Sequence, residues 1–309
     1  MYPLRFIRCL LFSFFVFAWF GGKPLFGQLP EIGDEVPEAV IAIVGGTFLN
    51  DALIDSGLLT KGFRVETPIG LSPQLFWGEI EGVPFYYMHG HGGQKYLAGW
   101  AALYQLGVRE VIGGATAGAI NPVMKTYDFV VPHDFIDFNT SRPRYFPSEV
   151  TEDEGLILAR YIPAVDPLLT GLLYEATLEV LRADAAHDPI NVYETGVVLQ
   201  AAGGRFETAA EIKAFAGMGG DIVTMNVATE MSYARQLGLN YACLVIVSNP
   251  AEGVAPWEFS DLSEIYATLN PVSLEILKKL VPRLVGLPET GRVDEALRIH
   301  PEMSTHSVD

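Results

Sequence analysis

The stretch Gly203-Gly204-Arg205-Phe206-Glu207-Thr208-Ala209-Ala210-Glu211 joins two local patterns. Upstream, Gly196-Val197-Val198-Leu199-Gln200 reads as a buried strand, and downstream the alanine-rich run reads as a helix. Strand, tight glycine turn and helix in that order deliver an aromatic face and a carboxylate to the C-terminal edge of a sheet. Open α/β sheets bind small ligands at that edge. A ring to stack on and a carboxylate to accept N–H bonds suit a flat heterocycle. A plainer reading fits the same residues, with Glu207 as a first-turn acid favoured by the helix dipole.

Working outward, apolar runs and helical periodicities alternate. Strands are expected at Ala39 to Val44, Pro84 to Met88, Glu110 to Ile112, Asp128 to Val131, Val192 to Leu199, Asp221 to Val223 and Ala242 to Val247. Helices are expected at Leu97 to Leu106, Leu168 to Arg182, Ala209 to Ala216, Ala228 to Leu237 and Leu262 to Leu280. That alternation predicts one α/β domain over about residues 38–285, a central parallel or mixed sheet flanked by helices. Residues 293–309 read as a weakly ordered tail.

The N-terminus is a separate element. Arg5 and Arg8 precede an apolar run, Cys9 to Phe20, broken by Gly21-Gly22-Lys23-Pro24. This is the layout of a secretory signal over residues 1–27, and it predicts export to a periplasmic or extracellular location. The run falls short of the roughly 20 apolar residues of a membrane span. An uncleaved anchor stays open, because no clean small-x-small cleavage site follows. Beyond the signal only Cys243 remains, in an apolar stretch that marks it as core packing, so no internal disulfide is expected.

A formal charge of −17 over 309 residues, with 50% hydrophobic content, predicts a substantial core. The acidity disfavours nucleic acid and anionic membranes as partners, since both draw on excess Lys and Arg. It does not exclude small anions. Ile43-Val44-Gly45-Gly46-Thr47 ends a strand in a glycine turn that can aim backbone N–H groups and a hydroxyl at an oxyanion. Gly113 to Gly118 reads as a second small-residue loop, fit either for close approach to a ligand or for a tightly packed crossover. His89 and His91 alternate at a strand end and lack a third nearby ligand, so no metal site is expected.

Together these segments resemble, in order, the signatures of the trimeric purine nucleoside phosphorylases and methylthioadenosine phosphorylases. Phe206-Glu207-Thr208 with Ala210-Glu211 resembles the base-binding signature, and Gly45-Gly46-Thr47 the first glycine turn. Gly90-His91-Gly92 falls at the phosphate motif, and Gly113-Gly-Ala-Thr-Ala-Gly-Ala-Ile-Asn121 resembles the second phosphate and base loop. Asp221-Ile-Val-Thr-Met-Asn226 with Glu230 resembles the ribose and phosphate segment, and Ser248-Asn249 the purine-contact pair. The likeness spans about residues 39–252.

The resemblance implies a pentosyltransferase with orthophosphate as co-substrate, a purine nucleoside as substrate and no cofactor. It implies phosphate contacts at Thr47, His91, Thr116 and Asn226, and substrate contacts at Ala117, Phe206, Glu207, Met225 and Asn249. Asn249 and His91 would be catalytic. Asn249 would favour 6-oxopurines, because an amide both donates and accepts whereas a carboxylate only accepts. A homotrimer is implied as well, with the segment Phe135 to Phe146 as the subunit contact. One departure stands out: the family places an arginine in its phosphate motif, and no arginine occurs between Phe85 and Trp100. His91 and Lys95 are the nearby substitutes, and neither reproduces a guanidinium fork. Weak phosphate binding, or water as nucleophile, would follow.

Overall fold

The computed structural model describes residues 36–49, 52–90, 95–151, 158–288 and the backbone of 298–299. Strands β1 (Ile41–Gly45), β2 (Leu59–Phe63), β3 (Glu66–Thr67), β4 (Gly70–Leu71), β5 (Leu75–Ile80) and β6 (Val83–His89) open the chain, with a short α1 (Ala52–Asp55) after β1. Then follow α2 (Tyr96–Gln105), β7 (Glu110–Ala119), β8 (Phe129–Val130), β9 (Asp134–Asp137), α3 (Ser148–Thr151), β10 (Leu158–Ala159) and α4 (Pro167–Ala183). The remainder is β11 (Val192–Tyr193), β12 (Val197–Gln200), α5 (Ala209–Gly217), β13 (Ile222–Thr224), α6 (Val227–Leu237), β14 (Asn240–Pro250), α7 (Leu262–Leu280) and β15 (Arg298–Ile299).

The main sheet runs β11-β8-β14-β7-β1-β6-β5-β2, with β13, β12 and β9 continuing from β7. The centre β14-β7-β1-β6 is parallel, whereas β5, β2 and the β7–β13 and β14–β8 pairs are antiparallel. The sheet is therefore mixed. Its central strands alternate between two cores. Tyr241, Cys243, Val245 and Val247 of β14 pack on one side with Trp100 of α2 and Met231 of α6. Ala242, Leu244 and Ile246 pack on the other with Leu173 of α4 and Leu277 of α7. Burying such side chains stabilises the fold by about 1.5–3 kcal/mol each, and a sheet apolar on both faces must be covered on both. Cys243 is buried and free, as core packing requires.

Several boundaries differ from expectation. The stretch Gly113 to Gly118 is not a loop, because β7 runs through it to Ala119. Its glycines make room for aromatic rings: a Cβ at Gly113 would stand 2.0 Å from the Tyr241 hydroxyl, and one at Gly114 1.9 Å from Phe48 Cδ1. The expected strand Val192 to Leu199 divides into β11 and β12, which pair with different partners. The hairpin partners β2 and β5 had no counterpart in the sequence reading. Residues 1–27, His91 and most of the 293–309 tail lie outside the described residues. Within that tail, Arg298–Ile299 pairs antiparallel with Leu158–Ala159.

Candidate active site

The candidate residues gather where β1, β7, β12, β13 and β14 end or turn. β1 and β7 are parallel neighbours with Val44 opposite Gly113, so the turn after β1 lies beside the second half of β7. There Thr47 Oγ1 and Thr116 Oγ1 are 3.0 Å apart, joining two residues 69 positions apart in sequence. The Thr47 turn is held from behind by Asn270 of α7. With its amide nitrogen turned toward the loop, Asn270 donates to Phe48 O (2.8 Å) and Thr47 O (3.2 Å).

β13 runs antiparallel to the end of β7, with Ile222 opposite Ala119 and Val223 opposite Gly118. Continuing that register carries the chain back along Ala117 and Thr116, which places Met225 and Asn226 on the same edge. Asn226 begins α6 and does not cap it with its side chain. Its Nδ2 donates instead to Glu230 Oε1 at 2.7 Å. Glu230 is fully buried and also accepts from the Tyr96 hydroxyl on Oε1 and the Tyr241 hydroxyl on Oε2, each at 2.7 Å. Burial and the neighbouring Glu230 together hold both phenols well above their usual pKa. Three donors converging on two oxygens make a preorganised polar floor beneath Asn226. His91 belongs to the undescribed segment, and Lys95 is exposed just before α2.

Between β12 and α5 the expected tight turn is a longer loop, 201–208. Gly203 adopts φ +83°, and a Cβ there would lie 3.5 Å from Met225 Sδ, so this loop packs on the Met225 side chain. Thr208 caps α5 in a reciprocal box with Glu211, and Arg205 forks onto both Glu211 oxygens at 2.7 and 2.8 Å. Glu211 is thereby a structural residue of the loop, its carboxyl lowered to about 2, first by the Arg205 bonds and then by the Thr208 backbone. Glu207 is left clear of that pair. Desolvation raises its pKa, with Glu211 and Glu252 adding repulsion.

Asn249 sits on β14 opposite Gly118, just past a bulge at Ser248 that breaks the register between Val247 and Asn249. Bulges of this kind re-aim a side chain. The Asn249 amide is nearly buried, donating to Pro250 O and accepting from Ser248 Oγ, both at 2.8 Å. One N–H and one lone pair of its amide remain for a ligand. Phe206 is 45% exposed and meets Trp257 edge-on at 5.5 Å and Phe259 at 6.3 Å. These three rings, with Glu252 and Val254, line an open cavity of about 660 Å³.

Trp257, Phe259 and Glu252 beside Phe206, and Asn270 behind Thr47, were not expected from the sequence. An aromatic pair in a Gly- and Pro-containing segment, Glu252 to Phe259, was the available signal for the first group. Nothing local to Asn270 points to Thr47.

Comparison with known proteins identifies the family of the chain. The family model described as the Phosphorylase superfamily matches residues 41–282. A 6-oxopurine nucleoside phosphorylase of Pyrococcus furiosus is 31% identical over 261 residues, covering 82% of this chain and 94% of its own. A probable S-methyl-5'-thioinosine phosphorylase of Methanothermobacter thermautotrophicus is 30% identical over 239 residues, 75% of this chain and 78% of its own. Among solved structures, an adenosine/methylthioadenosine phosphorylase variant from Schistosoma mansoni superposes with a TM-score of 0.72 at 22% identity, covering 84% and 96% of the two chains. That last likeness bears on the fold alone.

Proposed function

The chain belongs to the phosphorylase superfamily, and from that premise we propose that it is a purine nucleoside phosphorylase that prefers 6-oxopurine nucleosides. The observation that supports this most is the strand register, which gathers the Thr47–Thr116 hydroxyl pair, Met225 and Asn249 at one sheet edge. Phe206 and Glu207 stand on the loop packed against Met225.

In this reading orthophosphate lies by Thr47 and Thr116, with Asn226 and His91 as further contacts. The ribose lies over Met225, whose thioether adapts to an irregular sugar face. Phe206 packs on the purine plane, and Ala117 leaves space for the base. The C1′–N9 bond breaks with its electron pair passing to the purine, and a phosphate oxygen forms the new bond to C1′. Glu207 accepts from the N1 side, and Asn249 donates its free N–H to O6 or N7 as charge develops there. Bonds that strengthen as the base departs lower the barrier more than bonds already complete in the bound nucleoside. The apolar N-terminal run supports export, and the Phe135 to Phe146 segment supports a homotrimer; both are parts of the proposal.

The test is base release from inosine and adenosine, with and without phosphate. Phosphate-dependent release, faster from inosine, with ribose 1-phosphate as product, is expected. Free ribose released without phosphate would make the protein a nucleosidase, and tight nucleoside binding with no release would make it a binding protein. Asn249→Asp is expected to narrow or reverse the preference, because a carboxylate repels O6 and accepts from a 6-amino group. Equal effects on both nucleosides would reduce Asn249 to a strand-end residue.

A further inference from the structure

Two arginines are drawn into the interior next to aromatic rings, and their surroundings differ. Arg235 of α6 donates to Arg160 O and Pro163 O, both at 2.7 Å, and lies 5.9 Å from the Tyr161 ring centroid. Its donors are answered by backbone carbonyls, and its role is structural. Arg142 lies on the segment that follows β9, 5.4 Å from the ring centroid of Tyr96. Its Nη1 is buried and meets no hydrogen-bond acceptor.

The guanidinium is not what holds its own segment in place. Tyr233 donates to Pro143 O at 2.8 Å, Gln236 donates to Arg144 O, and Phe146 N donates to Gln236 Oε1 at 3.2 Å. Those bonds fasten residues 143–146 onto α6 without using the Arg142 head group. A guanidinium cannot shed its charge near neutral pH, and a buried donor without an acceptor is destabilising. An arginine kept in that condition is complementary to an anion that arrives from outside.

Its position says which anion. Tyr96 is the first residue of α2, and its hydroxyl donates to Glu230 Oε1, the oxygen that also accepts from Asn226 Nδ2. One phenol and one carboxylate oxygen thus connect Arg142 with Asn226 on the anion side of the site. We infer that Arg142 supplies the guanidinium that binds the phosphate co-substrate, in place of the arginine missing between Phe85 and Trp100. The inference rests on the phosphorylase reading above. It explains how a chain with no arginine in its glycine-histidine motif can still present a planar fork to a tetrahedral oxyanion.

The experiment measures steady-state KM for phosphate and for inosine separately, in the full-length protein and in Arg142→Gln and Arg142→Lys. In Arg142→Gln, phosphate KM is expected to rise about ten- to hundredfold while inosine KM stays within about twofold. Added methylguanidinium is expected to restore part of the loss. Phosphate is expected to raise the Tm of the parent protein and to raise that of Arg142→Gln far less. If the glutamine variant does not fold, Arg142→Lys keeps the charge over Tyr96 without the fork, and a several-fold rise in its phosphate KM is expected. Unchanged phosphate KM in both variants, with the parent still phosphate-dependent, would overturn the role of Arg142 and leave the phosphorylase reading standing. Base release by the parent that is indifferent to phosphate would remove the phosphorylase reading itself, and the inference with it. A fall in light-scattering mass with both KM values altered together would make Arg142 a subunit contact instead.

Discussion

Phe206 and Glu207 stand on an open loop shaped by the exposed pair Arg205–Glu211, whereas Asn226 is bonded into a buried network of Glu230, Tyr96 and Tyr241. The two sides ask different things of the chain. An exposed ion pair contributes little and is screened by salt, so that loop can adjust at small cost. A fully satisfied buried network is rigid, and removing one member leaves the others unpaired. The loop is therefore replaceable piece by piece, while the Glu230 network stands or falls as a unit.

The largest effect that would sharpen this contrast is expected at Glu230. Replacing it with alanine leaves two phenols and an amide without their acceptor, each at about 1–3 kcal/mol, so Glu230→Ala is expected to lower unfolding free energy by at least about 3 kcal/mol in urea titrations. A loss below about 1 kcal/mol would break the comparison by showing that the floor is not sealed. Next comes Glu207→Ala, expected to reduce nucleoside turnover ten- to hundredfold, or about 1.5–3 kcal/mol, with the urea midpoint unchanged. An unaltered rate would take Glu207 out of the site.

The smallest effect belongs to Arg205→Gln. Glu211 titrates near 2 in the folded protein against an ordinary value of 4.5, so its favourable pairing is present above 4.5 and is lost as pH falls toward 2. With Arg205 removed, its carboxyl is expected to titrate closer to 4.5 by NMR, with little change in Tm because the pair is exposed. A midpoint that stays near 2 would assign the shift to the Thr208 cap alone.

Much of the candidate site was legible because its residues sit at chain-local boundaries. Phe206 and Glu207 follow a glycine pair and precede a capping box, and Asn249-Pro250 ends an unbroken apolar run. The amphipathic repeat of Leu262–Leu280 marked α7 to its ends, despite Pro271 inside. The glycines of β7 misled, since glycine usually punctuates. Only packing shows that Gly113 and Gly114 accommodate Tyr241 and Phe48.

What the sequence determined by itself is the alternation of elements, and through it an α/β sheet flanked by helices; these follow from periodicities that extend over a few neighbouring residues. The tertiary structure alone decided which hydroxyl meets Thr47, where the Asn226 amide points, and that Arg142 ends over Tyr96 with a donor unanswered. The physical reason is distance along the chain. Hydrogen bonds and ring contacts between residues many tens of positions apart depend on strand register and helix docking, and no local pattern encodes either.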